Sequence, residues 1–382
     1  HQSPHEGEHH PAARCVGPIN HRSRLHVQFS VRVAKRWQFI SVLLQTAGSI
    51  GRFASSESHI PLTFTTDKPL KTETHEQETA SLAKDLFPYR SGELQLGPYA
   101  LRYIDESPDA TDTAPPTILC VHGNPTWSFY YRRVIERFAP RCRVVAIDHL
   151  GCGRSDKPPA DKFPYTMAAH RDNVIRLIDE LDLTNIVLLA HDWGGAIGLS
   201  AVHQRRERLA GLILLNTAAF PPPYMPRRIA ACRWPIVGTP AVRGLNLFAR
   251  AATTMTMSRT KLSADATRGL LAPYDSWANR VAIDRFVRDI PLHRSHPTYA
   301  VLEDLEAGLG DFSNLPIQLI WGMQDWCFRP ECLRRFEQVW PHAQVSELAT
   351  TGHYVMEDSP EETLAIMESF LSPLGLPTPT GT

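Results

Sequence analysis

The sequence predicts an α/β protein built on an open, doubly wound, mostly parallel sheet. Three observations carry that reading. From about Leu82 onward, short and strongly apolar runs recur along the chain, as strands buried on both faces of a parallel sheet require. Segments of helical periodicity separate these runs. One long stretch, residues 217–296, breaks the alternation: it is rich in Pro and Arg and contains no clear strand.

In chain order, "ALRYIDE" (100–106), "TILCVHG" (117–123), "RVVAID" (143–148) and "NIVLLAH" (185–191) read as strands. "LAGLILLN" (209–216), "IQLIWG" (317–322) and "AQVSEL" (343–348) follow in the same style. Helices are expected over 129–138, 167–181, 194–206, 330–339 and 360–372. The stretch 217–296, with helical pieces such as "DSWANRVAIDRFVRDI", is expected to form a helical cap. Residues 81–216 and 297–372 then make up the core, and "SPLGLPTPTGT" at the end reads as a frayed tail over 373–382.

Residues 1–80 differ from the rest. No acidic residue lies between Glu8 and Glu57, whereas Arg14, Arg22, Arg24, Arg32, Lys35, Arg36 and Arg52 are basic. The apolar run "WQFISVLLQTAGSIG" behind Lys35 and Arg36 has the outline of a targeting segment, but it is too short and too polar to span a bilayer. An extension, disordered or targeting-like, is the expectation, with a cytoplasmic location and no membrane insertion. The same extension is a candidate route to export or membrane-surface association.

Across the 382 residues, 40 Lys and Arg balance 40 Asp and Glu. With no net field to draw in a polyanion, this balance argues against a dedicated binder of nucleic acid or of an anionic membrane, while leaving room for a local patch. The seven cysteines are scattered and contain no CxxC pair, which argues against a disulfide framework or a structural zinc site. The early histidines His1, His5, His9 and His10 read as part of a solvated tail.

Chemistry concentrates in "VLLAHDWGGAIGLS", residues 187–200. Small residues two before and two and three after Asp192 allow a sharp strand-to-helix turn that projects the central side chain, the geometry of a nucleophile elbow. The plainer alternative is a helix-capping Asp. Partners follow in the order acid, then histidine: Asp325 in "IWGMQDWCFRP" after one strand and His353 in "TTGHYVMED" after the next. At the end of the preceding strand, where an acid would also serve the histidine, the chain has Asn216. In "VHGNPTWS", Gly123 lets the backbone approach closely. The Asn124 amide can then join that of Trp193 as an oxyanion hole. The glycine-punctuated loop "DHLGCGRSDKP" (148–158) lacks phosphate-loop spacing and is expected to shape the rim of the site.

From Leu82 to Leu371 the chain resembles an α/β-hydrolase-fold enzyme, which implies an eight-stranded sheet with the cap inserted after strand 6. "HGNPTWSFYYR", "DHLGCGRSDKP", "HDWGGAIG", "GMQDW" and "GHYVMED" together resemble the haloalkane dehalogenases. That resemblance implies hydrolysis of a carbon–halogen bond to alcohol, halide and a proton, on a small halogenated alkane, without metal or organic cofactor. Asp192 would be the nucleophile, His353 the base, Asp325 its support, and Asn124 and Trp193 the halide-binding pair. A carboxylate suits this task because it is ionised at neutral pH and can displace a leaving group from a saturated carbon, giving an ester to Asp192 that water then cleaves. Epoxide hydrolases share the Asp-Trp elbow. They commonly have an aromatic residue where Asn124 stands and need proton donors, for which the cap offers Tyr224 and Tyr274, with Tyr299 just beyond. The same fold also hosts small-molecule binders and cofactor-free oxygenases.

Overall fold

Eight strands form one sheet in the computed structural model, which describes residues 86–108 and 114–378. The extension expected over residues 1–80 lies outside the described residues. The strands are β1 (Ser91–Leu96), β2 (Tyr99–Glu106), β3 (Thr117–Val121), β4 (Val144–Asp148), β5 (Ile186–Asp192), β6 (Leu209–Thr217), β7 (Ile317–Gly322) and β8 (Gln344–Leu348). They lie in the order β1-β2-β4-β3-β5-β6-β7-β8. β2 runs antiparallel to both β1 and β4, and from β4 to β8 every pairing is parallel. The α/β-hydrolase architecture expected from the sequence is thus present. β1 is the strand that no apolar run announced. Only Leu94 and Leu96 of "SGELQL" are buried, and the strand is held in place by a tight hairpin through Gly97, at φ +62°.

The central strands β3, β4, β5 and β7 are buried at every position. Their side chains alternate between two cores, one on each face of the sheet. Leu119, Val121, Leu188 and Ala190 pack with Ile197, Trp321 and Phe336 on one face. Ile118, Cys120, Val187 and Leu189 pack with Tyr130, Ile213 and Ile320 on the other. Helices α1 (Arg132–Phe138), α2 (Met167–Glu180) and α3 (Trp193–His203) supply the cover. α2 begins at Thr166, whose hydroxyl accepts from the Ala169 N–H at 3.3 Å. α3 is buried along nearly its whole length, so its "GGAIG" pattern is small because the sheet is close.

Between β6 and β7 the chain forms α4 (Arg227–Cys232), a π-helical turn (Pro240–Gly244), α5 (Leu247–Met255), α6 (Ala264–Leu271), α7 (Val281–Asp289) and α8 (Pro297–Gly308). After β7 come α9 (Pro330–Val339), the single turn α10 (Val355–Asp358) and α11 (Pro360–Leu371). The tail expected from residue 373 is anchored further than its composition suggests: Leu376 is buried, and Arg141 donates to the Pro377 carbonyl at 3.3 Å.

Three sets of contacts rivet the end of α5 and the residues after it to the loops after β7 and β8. The Trp326 indole donates to Met255 O at 2.7 Å, and Tyr354 N–H donates to Thr256 O at 3.2 Å. The Asp358 carboxylate, buried to 1% exposure, accepts from the N–H groups of Ser258, Arg259, Thr260 and Gly352 at 2.7–3.0 Å. Burial alone would raise the Asp358 pKa, but these donors outweigh it and hold the carboxyl below its ordinary value. Its stabilisation is therefore present above the unfolded value near 3.8 and is lost as pH falls through the lower folded value. Asp358→Ala should destabilise the fold by about 1–3 kcal/mol for the donors left unpaired. In thermal melts, the gap to the parent chain should be constant above about pH 5 and close on further acidification.

Candidate active site

Asp192 ends β5 and opens α3 with φ +55° and ψ −129°, a region that non-glycine residues seldom occupy. The register of β5 against β6 shifts between His191 and Asp192. There the Thr217 hydroxyl donates to the Asp192 carbonyl at 2.5 Å. Two glycines make the turn possible. A Cβ on Gly194 would strike the Val121 carbonyl, and one on Gly123 would strike the Asp192 carboxylate. The alternative that Asp192 merely caps α3 fails, since its side chain makes no capping bond to the helix.

Instead the carboxylate faces the loop after β3. Asn124 N–H donates to Asp192 Oδ1 at 2.7 Å, and the Trp193 N–H also bears on the carboxylate. On the other side, Asp192 Oδ2 lies 3.6 Å from His353 Nε2. His353 Nδ1–H donates to Asp325 Oδ2 at 2.8 Å. The five residues singled out from the sequence, Asp192, Asp325, His353, Asn124 and Trp193, therefore meet in one place. Asp192, Asp325 and His353 are 7%, 3% and 5% exposed, so each feels the others with little screening. Burial pushes the Asp192 pKa above the ordinary carboxylate value despite the opposing pull of His353 and the two N–H donors. For His353 burial works toward the neutral form, but the carboxylates of Asp325 and Asp192 prevail and hold the imidazolium above the usual 6.5.

Asn216, which stands where an acid would also serve the histidine, supports the acid that is present. Its Nδ2 donates to Asp325 Oδ2 at 2.9 Å and to Gly322 O at 3.0 Å, while its Oδ1 accepts from Gly322 N–H at 2.7 Å. Cys327 N–H donates to Asp325 Oδ1 at 2.6 Å. An Asn closing an otherwise apolar strand is a trace of this in the sequence, but the contact joins residues more than a hundred apart. His191 carries no such mark in the sequence. It lies under the site, 4.5 Å ring to ring from His353, and its Nε2–H donates to the His353 carbonyl at 2.9 Å.

Over Asp192 opens a cavity of about 110 Å³. Asn124 and Trp193 line it beside Asp192, and Phe220, Ile229, Phe248, Val287 and Leu302 give it an apolar wall drawn largely from the insertion after β6. The Asn124 side chain reaches across to Ile283 O at 3.3 Å, and its Oδ1 is buried without a partner. The cap tyrosines are already engaged. Tyr224 touches the cavity, but its hydroxyl donates to Cys327 O at 2.5 Å and accepts from Arg329 N–H. Tyr274 is buried away from the cavity lining, donating to Thr126 O at 3.0 Å. Neither is poised to protonate an epoxide oxygen.

Known proteins share this arrangement of fold and sequence. The profile of the family described as alpha/beta hydrolase fold matches residues 116–360. The chain is 36% identical over 291 residues to a cis-3-alkyl-4-alkyloxetan-2-one decarboxylase of Shewanella oneidensis, covering 75% of this chain and 90% of that protein. It is 31% identical over 294 residues to haloalkane dehalogenase 2 of Mycobacterium tuberculosis, covering 75% and 96%. Among solved structures, haloalkane dehalogenase DpaA of Paraglaciecola agarilytica superposes with a TM-score of 0.62 at 28% identity, over 78% of this chain and 96% of that one. With its eight-stranded sheet and the residues gathered around Asp192, the chain belongs to the α/β-hydrolase fold family as a haloalkane-dehalogenase-like enzyme.

Proposed function

We propose that Asp192 attacks a saturated carbon and expels an anionic leaving group, and that the leaving group is the carboxylate of a cis-3,4-dialkyl oxetan-2-one. The observation that carries the first part is the carboxylate aimed from the elbow into an apolar cavity, beside Asn124 and Trp193. An anion leaving such a site needs neutral N–H donors and no proton, and the Asn124 amide and Trp193 indole are of that kind. Similarity to the Shewanella decarboxylase supports the choice of substrate.

The chemistry balances on these residues. Asp192 displaces the ring oxygen from C4, so the C4–O bond breaks, an ester to Asp192 forms, and a free carboxylate remains on C3. Inversion at C4 leaves the new ester opposite that carboxylate across the C3–C4 bond. Loss of CO2 sends the C3 electron pair into a C3=C4 double bond and releases Asp192 as a carboxylate. Inversion followed by departure from opposite sides keeps the two alkyl groups cis. A site dry enough to leave the carboxylate poorly solvated favours this second step.

A second reading, hydrolytic haloalkane dehalogenation, is favoured by the His353–Asp325 pair, which decarboxylation does not need as a base. Here halide leaves, and His353 takes a proton from water that attacks the Asp192 ester, with the N–H groups of Asn124 and Trp193 receiving the negative charge. The two routes differ in what happens to Asp192. Hydrolysis in oxygen-18 water labels its side chain, whereas decarboxylation returns it unlabelled together with one CO2 and one cis-alkene per lactone. Single turnovers with a cis-3,4-dialkyl oxetan-2-one and with a bromoalkane, followed by mass spectrometry of the peptide holding Asp192, decide between them. If neither substrate is consumed in an Asp192-dependent way, both readings fall.

In either reading Asn124→Ala should slow the reaction by about a hundredfold or more, as loss of one donor to a developing anion does elsewhere; steady-state kinetics checks this. The pH dependence separates the routes again. Hydrolysis needs neutral His353, so its rate should rise with pH through a midpoint above 6.5, and Asp325→Asn should move that midpoint down as it lowers the rate. Decarboxylation, which removes no proton, should show no such rise.

A further inference from the structure

The charge balance of this chain hides an uneven distribution. Residues 217–296 hold eleven arginines and one lysine against four aspartates and no glutamate, a net of +8 within a chain whose total is zero. Part of this charge is met locally: Arg280 is buried, Arg288 pairs with the buried Asp284, and Arg259 and Arg294 pair with Glu362 and Glu303 outside the segment. Arg227 and Arg250 are exposed and have no ion-pair partner among the described residues.

Among the described residues, the same segment carries the large apolar side chains that the fold leaves in water. Ile236 is 91% exposed, Leu245 64%, Val237 52% and Trp277 48%. Ile236 holds φ at +72°, a region its β-branched side chain disfavours, with its side chain turned outward. Trp277 lies against Gly244, next to Leu245, and the Arg243 guanidinium covers its ring at 4.7 Å. Leu292, 42% exposed, directly follows Pro291, which lines the cavity over Asp192. Exposed apolar surface and cavity wall are thus the outer and inner sides of one segment.

We propose that this outer face of the cap docks on an anionic lipid bilayer, with Ile236, Val237, Leu245 and Trp277 entering the interface and the arginines meeting the headgroups. Aliphatic and indole side chains interleaved with arginine of one sign are what such a surface selects. An uncharged protein partner would give no reason for the excess of +8. The proposal does not depend on the reaction at Asp192, although a bilayer would serve as the reservoir for an alkyl substrate.

The test is co-flotation of the full chain with vesicles of phosphatidylcholine alone or mixed with phosphatidylglycerol. The chain should float with the anionic vesicles, much less with the neutral ones, and be released as salt rises and shortens the range of the attraction. The variant Arg227→Glu/Arg250→Glu should bind at least about thirtyfold more weakly, from the loss of two basic groups near the surface. Ile236→Ser/Leu245→Ser/Trp277→Ser should also lose flotation, while its melting temperature shows that the exposed changes leave the fold intact. Asp192→Asn should float like the parent chain, so that failure of the chemistry and failure of docking remain distinguishable. Absence of flotation with anionic vesicles, or equal flotation with neutral ones, overturns the proposal. So does a concentration-dependent dimer, seen by analytical ultracentrifugation without flotation and abolished by the serine variant, which would assign the face to a second copy of the chain.

Discussion

Everything at the site depends on one uncomfortable backbone conformation. Asp192 sits at φ +55°, and a residue other than glycine stays there only when its surroundings hold it. They do so from three sides: the Thr217 hydroxyl on its carbonyl, the Val121 carbonyl against the Cα of Gly194, and the Asn124 N–H on its carboxylate. The result is a charged group fixed in direction before any substrate arrives. Preorganisation of this kind lowers a barrier because little has to move when charge shifts.

The support of His353 is similarly redundant. Asp325 grips its Nδ1, Asn216 and the Cys327 N–H hold Asp325 in turn, and His191 fixes its backbone from below. Such chains of buried hydrogen bonds reinforce one another where water is excluded. The nucleophile faces a histidine whose tautomer is set on the far side of the ring, so Nε2 is the nitrogen turned toward Asp192.

Much of this was legible in the chain. The apolar runs gave β2 to β8 to within a few residues, since a strand covered on both faces has no room for polar side chains. The elbow was legible because small residues at fixed offsets are a steric necessity there, as Gly123 and Gly194 demonstrate. β1 escaped because half of its side chains face water. The parts played by Asn216, His191 and Asp358 escaped for another reason. Each works through a hydrogen bond to a residue distant in sequence, and a single polar residue in a strand or loop has no periodicity to betray its partner. The engaged hydroxyls of Tyr224 and Tyr274 belong to the same class: composition offered them as acids, and only their neighbours show that they are occupied.

The rivets between the end of α5 and the loops carrying Asp325 and His353 have a mechanical consequence. Met255, Thr256 and residues 258–260 are bonded to Trp326, Tyr354 and Asp358, so that margin of the roof is effectively part of the floor. The approach to α4 is fastened as well, since the Tyr224 hydroxyl donates to Cys327 O and accepts from Arg329 N–H on the loop after β7. A roof moored on both sides keeps the groups on the floor aligned with the walls that an occupant meets.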